Sequence, residues 1–178
     1  MARTWVKDIR TWRAPDLSDD GVSLLAETLR DVAGDGPVGL PMGHETHLRM
    51  PLADYSRLGA SVTFVSDQRI MRSLRLVKSE AEIDKIRTAC AVAGRAFDRV
   101  GEIAAPGVPL SQVFRHFQML CLDEGADWDA YLAGASARGG YGDVISPASD
   151  RPRAAGDVLM LDTGLVRDGY FCDFDRNF

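Results

Sequence analysis

The sequence predicts an α/β (α+β) architecture in two pieces, residues 1–73 and 74–178, and three observations carry that expectation. Short apolar runs alternate with amphipathic stretches from Trp5 to Val65. Apolar residues at spacings of three and four then run from Ile83 to Ala104, behind Ser79-x-x-Glu82. Near the carboxyl end, two β-compatible runs, Val158 to Leu165 and Tyr170 to Phe174, flank Asp168-Gly169.

In the first piece, Trp5 to Trp12 alternates apolar and polar residues and is predicted to be a strand, broken at Pro15-Asp16. Ser18 is placed to cap a helix, with Asp19 and Asp20 in a first turn whose free N–H groups favour anions. Val22, Leu25, Leu29 and Val32 give that helix its apolar stripe, and Gly34 to Pro37 end it. Val38 to Leu40 is predicted as a short buried strand, closed by Pro41-Met42-Gly43. His44-Glu45-Thr46-His47 sets two histidines three apart after a glycine. The zinc-binding His-Glu-x-x-His motif needs them four apart on one helix face, so no metal is expected here. Leu48 to Leu58 is predicted helical and Ser61 to Val65 extended, which makes this piece α/β.

The second piece opens near Leu74. Ser79 and Glu82 form a capping box, in which each side chain serves the other residue's unpaired amide. Ile83, Ile86, Cys90, Ala93, Phe97, Val100 and Ala104 predict a helix of about 25 residues with one apolar face, stopped by Pro106-Gly107. Leu110, Val113, Phe114, Phe117, Leu120 and Cys121 mark a second helix ending near Gly125, with His116 off its stripe on the surface. Trp128 to Ala133 is predicted as a strand. Gly134 to Gly142 is glycine-rich and predicted as a loop, either mobile or open to close approach by a ligand. It lacks the Gly-x-Gly-x-x-Gly spacing between strand and helix that nucleotide binding requires. Pro147 to Pro152 is a turn-rich connection into the final hairpin.

Asp-Gly between extended runs is a strong hairpin signal, because a type I′ turn needs φ > 0 at both central positions. With Asp168-Gly169 as the turn, Arg167 lies opposite Tyr170, Gly164 opposite Asp173, and Asp162 opposite Asp175. Alternation along strands then puts Asp162, Asp173 and Asp175 on one face, the opposed pair about 5 Å apart at Cβ. Like charges that close need protonation, an arginine or a metal ion, and oxygen-rich sets suit Mn²⁺, Mg²⁺ or Zn²⁺. A solvent-facing acidic hairpin paired with Arg167 and Arg176 is the other reading of the same residues.

The order Asp162-Thr163-Gly164, a turn ending Gly169-Tyr170, then Asp173-Phe174-Asp175-Arg176 resembles the M24 metallopeptidase family of aminopeptidase P, prolidase and creatinase. Leu74-Arg75-Leu76-Val77-Lys78-Ser79-Glu80-Ala81-Glu82-Ile83 is similar to the segment opening the family's catalytic domain. The resemblance implies the end part of a creatinase-type amino-terminal domain over 1–73, then the first half of a pita-bread catalytic domain over 74–178. It implies metal ligation by Asp162 and Asp173, in a complete site holding two divalent ions (Mn, Co or Zn). Asp175 stands where the family usually has Thr or Ser; it can add a third oxygen ligand or pair with Arg176. The family's remaining ligands, a histidine and two glutamates, lie downstream of the segment that ends at Phe178, so a half-site is expected. Ile145 occupies the position of a histidine on the strand before the hairpin, and an apolar side chain cannot shuttle a proton.

The implied activity is hydrolysis of a C–N bond by metal-activated water, on a small peptide of the Xaa-Pro type or a small amide. The alternatives are hydrolysis or lysis of a creatine- or ectoine-like compound, and a non-catalytic fragment or interaction module. The full-length form is expected to be a homodimer. A formal charge of -5 argues against a nucleic-acid surface, which is normally basic. No apolar run is long enough to span a membrane, and Met1 to Lys7 does not read as a signal peptide. Cys90, Cys121 and Cys172 are odd in number and widely spaced, which predicts buried free thiols and a reduced, cytoplasmic setting. Half of a sheet would also leave part of the long helix's apolar face uncovered.

Overall fold

Val22 does open a helix in the computed structural model, which describes residues 4–143 and 147–178: α1 spans Val22–Ala33. Its start lies later than Ser18, because Asp16 takes the Ser18 hydroxyl at 2.6 Å and Gly21 turns the chain with φ 85. Asp19 instead accepts from the Ser23 amide at 3.1 Å. The chain forms two units, Met1–Val77 and Lys78–Phe178.

In the first unit, β1 (Val38–Leu40) pairs in parallel with β2 (Phe64–Ser66), Val38 opposite Phe64. Between them, α2 (Leu52–Gly59) begins later than Leu48, because Pro51 lacks an N–H and disfavours helical geometry in the residue before it. A short helix, α3 (Ile70–Leu76), follows β2; none of its residues is buried, so it leaves no apolar stripe to read. Val22, Ala26 and Leu58 are the buried centre, with Met50 and Phe64 packed against them. The strand expected over Trp5 to Trp12 does not form. Trp12 lies instead against Gly21, where a Cβ would sit 2.6 Å from the indole, and its Nε1 donates to Asp20 at 3.2 Å. Arg10 ties the same segment to α1 through Asp31 at 2.7 Å.

The second unit begins with α4 (Glu80–Asp98), and its capping box is formed: Ser79 N donates to Glu82 Oε2 at 2.7 Å, and Glu82 N to Ser79 Oγ at 3.4 Å. The helix is 19 residues long, shorter than its stripe. Beyond Arg99 the backbone tightens into a 3₁₀ turn at Val100–Glu102, which still buries Val100. Then comes α5 (Leu110–Asp123). Arg99 and Arg95 both reach Glu124 at 2.9 Å, joining α4 to the end of α5.

Among the described residues four strands follow: β3 (Trp128–Arg138), β4 (Asp157–Arg167), β5 (Tyr170–Phe171) and β6 (Phe174–Asn177). β4 is central, antiparallel to β3 on one side and to β5 and β6 on the other. β3 runs through Gly134 to Arg138, which were expected to be loop. Gly134 is there for contact: a Cβ would fall 2.4 Å from the Met160 carbonyl and 3.0 Å from the Phe114 ring. The core joins Ala93, Phe97, Val113, Phe117, Leu159, Leu161 and Leu165 from both helices and β4. Toward the start of α4 the apolar face opens, and Ile83, Ile86 and Cys90 line a groove. Cys121 and Cys172 are buried free thiols, while Cys90 is only half-buried. Among the described residues no helix is long and apolar enough to cross a membrane.

Candidate metal centre

Asp168 and Gly169 have φ of 53° and 78°, the two left-handed positions of a type I′ turn. The register follows as expected from the sequence: Arg167 pairs with Tyr170, Val166 with Phe171, Thr163 with Phe174, and Asp162 with Asp175. The same offset holds on both sides of Cys172-Asp173, so no residue is gained or lost through the gap between β5 and β6.

Side-chain alternation assigns the faces. Leu161, Thr163 and Leu165 are fully buried, Cys172 is buried, and Phe174 packs on Phe97 with ring centroids 5.6 Å apart. Their face is the one covered by helices. Asp162, Gly164, Asp173 and Asp175 therefore share the other face. The hairpin tip is held from α4: Lys85 meets Asp168 at 2.8 Å, and the Tyr170 hydroxyl donates to Glu82 at 3.2 Å.

Asp162 is the electrostatic centre. Burial raises its carboxyl above the usual range, and the negative charges of Asp173 and then Asp175 add to this, against a hydrogen bond from Tyr131. The Tyr131 hydroxyl donates to Asp162 Oδ2 at 3.3 Å, while Asp162 Oδ1 is buried with no hydrogen-bond partner among the described residues. Burial, then Asp162 and Asp173, push the Tyr131 phenol up. A buried acceptor without a donor, beside further carboxylates, fits a divalent cation. The set is incomplete. Among the described residues no three His, Cys, Asp or Glu side chains are gathered as a metal-holding group. The hairpin thus presents an acidic face around Asp162, and Ile145 lies outside the described residues.

Asp129 and Tyr131 complete the surroundings of Asp162. The pairing of β3 with β4 shifts between Asp129 and Leu132, leaving one extra residue in β3, a bulge of the kind that re-aims side chains. Tyr131 lies in it. Asp129 holds the bulge, accepting from Thr163 Oγ1 at 3.0 Å and from Tyr131 N at 3.4 Å. Gly164 leaves room for it: a Cβ there would be 3.3 Å from Tyr131 Cβ. Aspartate and tyrosine within a strand carry no spacing signal, so only the three-dimensional pairing reveals them. His116, expected on the surface, is a half-buried residue on α5. His47 Nδ1 lies 3.0 Å from the His44 carbonyl, a bond within the loop.

Comparison with known proteins places this geometry. The family model for metallopeptidase family M24 matches residues 84–178, more than half of the chain and all of the acidic hairpin. The probable dipeptidase PepE of Mycobacterium tuberculosis is 33% identical over 130 residues, covering 72% of this chain and 33% of that protein. Among solved structures, dipeptidase PepE from Mycobacterium ulcerans superposes with a TM-score of 0.71 at 27% identity, over 95% of this chain and 43% of that one. The X-Pro aminopeptidase from Thermotoga maritima gives 0.69 at 26% identity, over 89% and 44%. The chain therefore spans between a third and a half of the length of these relatives. With the fold, the hairpin and the matched family model in agreement, the chain belongs to metallopeptidase family M24.

Proposed function

We propose that residues 74–178 are the amino-terminal half of a metal-dependent peptidase domain, preceded over 1–73 by the later part of a creatinase-type amino-terminal domain. The observation that carries this reading is the buried Oδ1 of Asp162, without a hydrogen-bond partner among the described residues, on a face shared with Asp173 and Asp175. Asp162 and Asp173 would hold a divalent ion, with Asp175 as a third oxygen donor. When bound, such an ion supplies Lewis acidity and makes water a nucleophile near neutral pH. The chain's own residues prepare the site. Tyr131 donates to Oδ2 of Asp162, not to Oδ1, while the Lys85 and Tyr170 contacts fix the hairpin against α4.

The complete site takes two ions (Mn, Co or Zn), within a cytoplasmic homodimer of the full-length product. The substrate is a short peptide cut at a C–N bond; the dipeptidase and X-Pro aminopeptidase relatives support this over a creatine- or ectoine-like compound. The test is Co²⁺ titration of chelator-stripped protein, for this chain and for the full-length product. The expected result is near two ions per full-length chain, lost with Asp162→Ala or Asp173→Ala, and much weaker binding by residues 1–178. Co²⁺ binding that both substitutions leave untouched would remove the hairpin from the site.

A further inference from the structure

Met42 to Thr46 form one wall of a cavity of about 530 Å³ in the amino-terminal unit. Ser66, Asp67, Arg69 and Arg72 supply the facing wall. The cavity thus lies beyond the carboxyl ends of β1 and β2, where open parallel α/β sheets receive their ligands.

Both loops are tied through their backbones. Gly43 N donates to Thr46 O at 2.9 Å, and Leu48 N to Pro41 O at 3.0 Å. Asp67 accepts from the amides of Arg69 at 3.1 Å and Met71 at 3.2 Å, which uses both of its oxygens. Gln68 and Arg69 nevertheless stand in the left-handed region, with φ of 49° and 68°. Consecutive non-glycine residues held there are strained, and strain of this kind gathers at ligand sites. Arg72 is engaged by Glu45 at 3.6 Å. The Arg69 guanidinium has no hydrogen bond or ion pair among the described residues. One uncommitted cation among the described residues therefore borders the cavity, whose lining also holds the carboxylates of Glu45 and Asp67.

We infer that this cavity binds a small zwitterion with a free carboxylate, a free amino acid or short peptide, with its carboxylate on Arg69 and its ammonium toward Glu45. A planar guanidinium matches a carboxylate through two parallel hydrogen bonds. Glu45 and Asp67 disfavour a dianion such as phosphate, and the volume suits a ligand of a few residues. This assignment does not rest on the metal reading.

The experiment is amide chemical-shift titration of the chain with glycylglycine, acetate, glycinamide and inorganic phosphate. Glycylglycine is expected to move the amides of Gly43, Thr46 and Arg69 saturably, ahead of acetate and glycinamide, with phosphate weakest. Arg69→Asn, chosen because asparagine tolerates the left-handed region, should weaken binding about tenfold or more. Arg69→Gly, which relieves the strain as well, should do the same. The assignment is overturned by no saturable shift up to about 50 mM glycylglycine. Wild-type affinity retained in both Arg69 variants, or tighter binding of phosphate, would overturn it as well. So would shifts confined to Tyr131 and Asp162, which would place the ligand at the hairpin.

Discussion

The carboxyl-terminal unit closes β4 under two helices, with Val113, Phe117, Leu159, Leu161 and Leu165 fully buried, whereas the amino-terminal unit centres on Val22, Ala26 and Leu58. The difference matches what each has to hold. Three like charges on one hairpin face repel one another, and only a packed layer beneath keeps their spacing. The loops around the amino-terminal cavity are held instead by local bonds to backbone groups and by a surface ion pair. Core packing tolerates little movement; surface bonds exchange with water and tolerate more.

Substitutions in each region can break or sharpen this contrast. The largest effect is expected from Phe117→Ala, which opens a cavity beside Phe97 of α4 and should cost about 3–5 kcal/mol in urea unfolding. A loss below about 1 kcal/mol would mean the carboxyl-terminal core is not the rigid layer described. Leu58→Ala should cost less, about 2 kcal/mol, because the smaller cluster around it can collapse into the space. An equal or larger loss than Phe117→Ala would erase the contrast. Tyr170→Phe removes one hydroxyl from Glu82 and leaves the capping box in place. About 1 kcal/mol is expected, together with faster hydrogen exchange at Cys172 N, which bonds Leu165 O at 3.0 Å.

The smallest effect concerns pH. Arg99 and then Arg95 hold the Glu124 carboxyl below its ordinary value of 4.5. A carboxyl whose folded pKa is lowered stabilises above its unfolded pKa, and that contribution is lost as pH falls through the folded value. Thermal melts should therefore show a steeper acid-side loss in the wild type than in Glu124→Gln, while the two melt with more similar slopes above pH 5. Identical slopes throughout would show that the α4–α5 ion pairs add nothing.

Features set by neighbouring residues were legible in the sequence. The capping box needs only Ser79 and Glu82, the turn needs only Asp168-Gly169, and the strand period then carries Asp162 to Asp175. Features set by distant partners were not. Trp5 to Trp12 alternates like a strand, but its tryptophan finds Gly21 rather than a neighbouring strand. Gly134 looked like loop because the carbonyl of Met160 that excludes a side chain there is distant in sequence. Tyr131 meets Asp162 only because β3 carries one extra residue, which no periodicity announces.

Glu82 accepts from Ser79 with one oxygen and from Tyr170, 88 residues away, with the other. Closing so long a loop costs entropy that grows with the logarithm of its length, so it gains from an acceptor already fixed in place. The capping box fixes that acceptor once the first turn of α4 exists. The most local device in the chain thus prepares a landing point for one of its most distant contacts. Damage at Ser79 should consequently be felt as slower docking of the hairpin, not only as a frayed helix end.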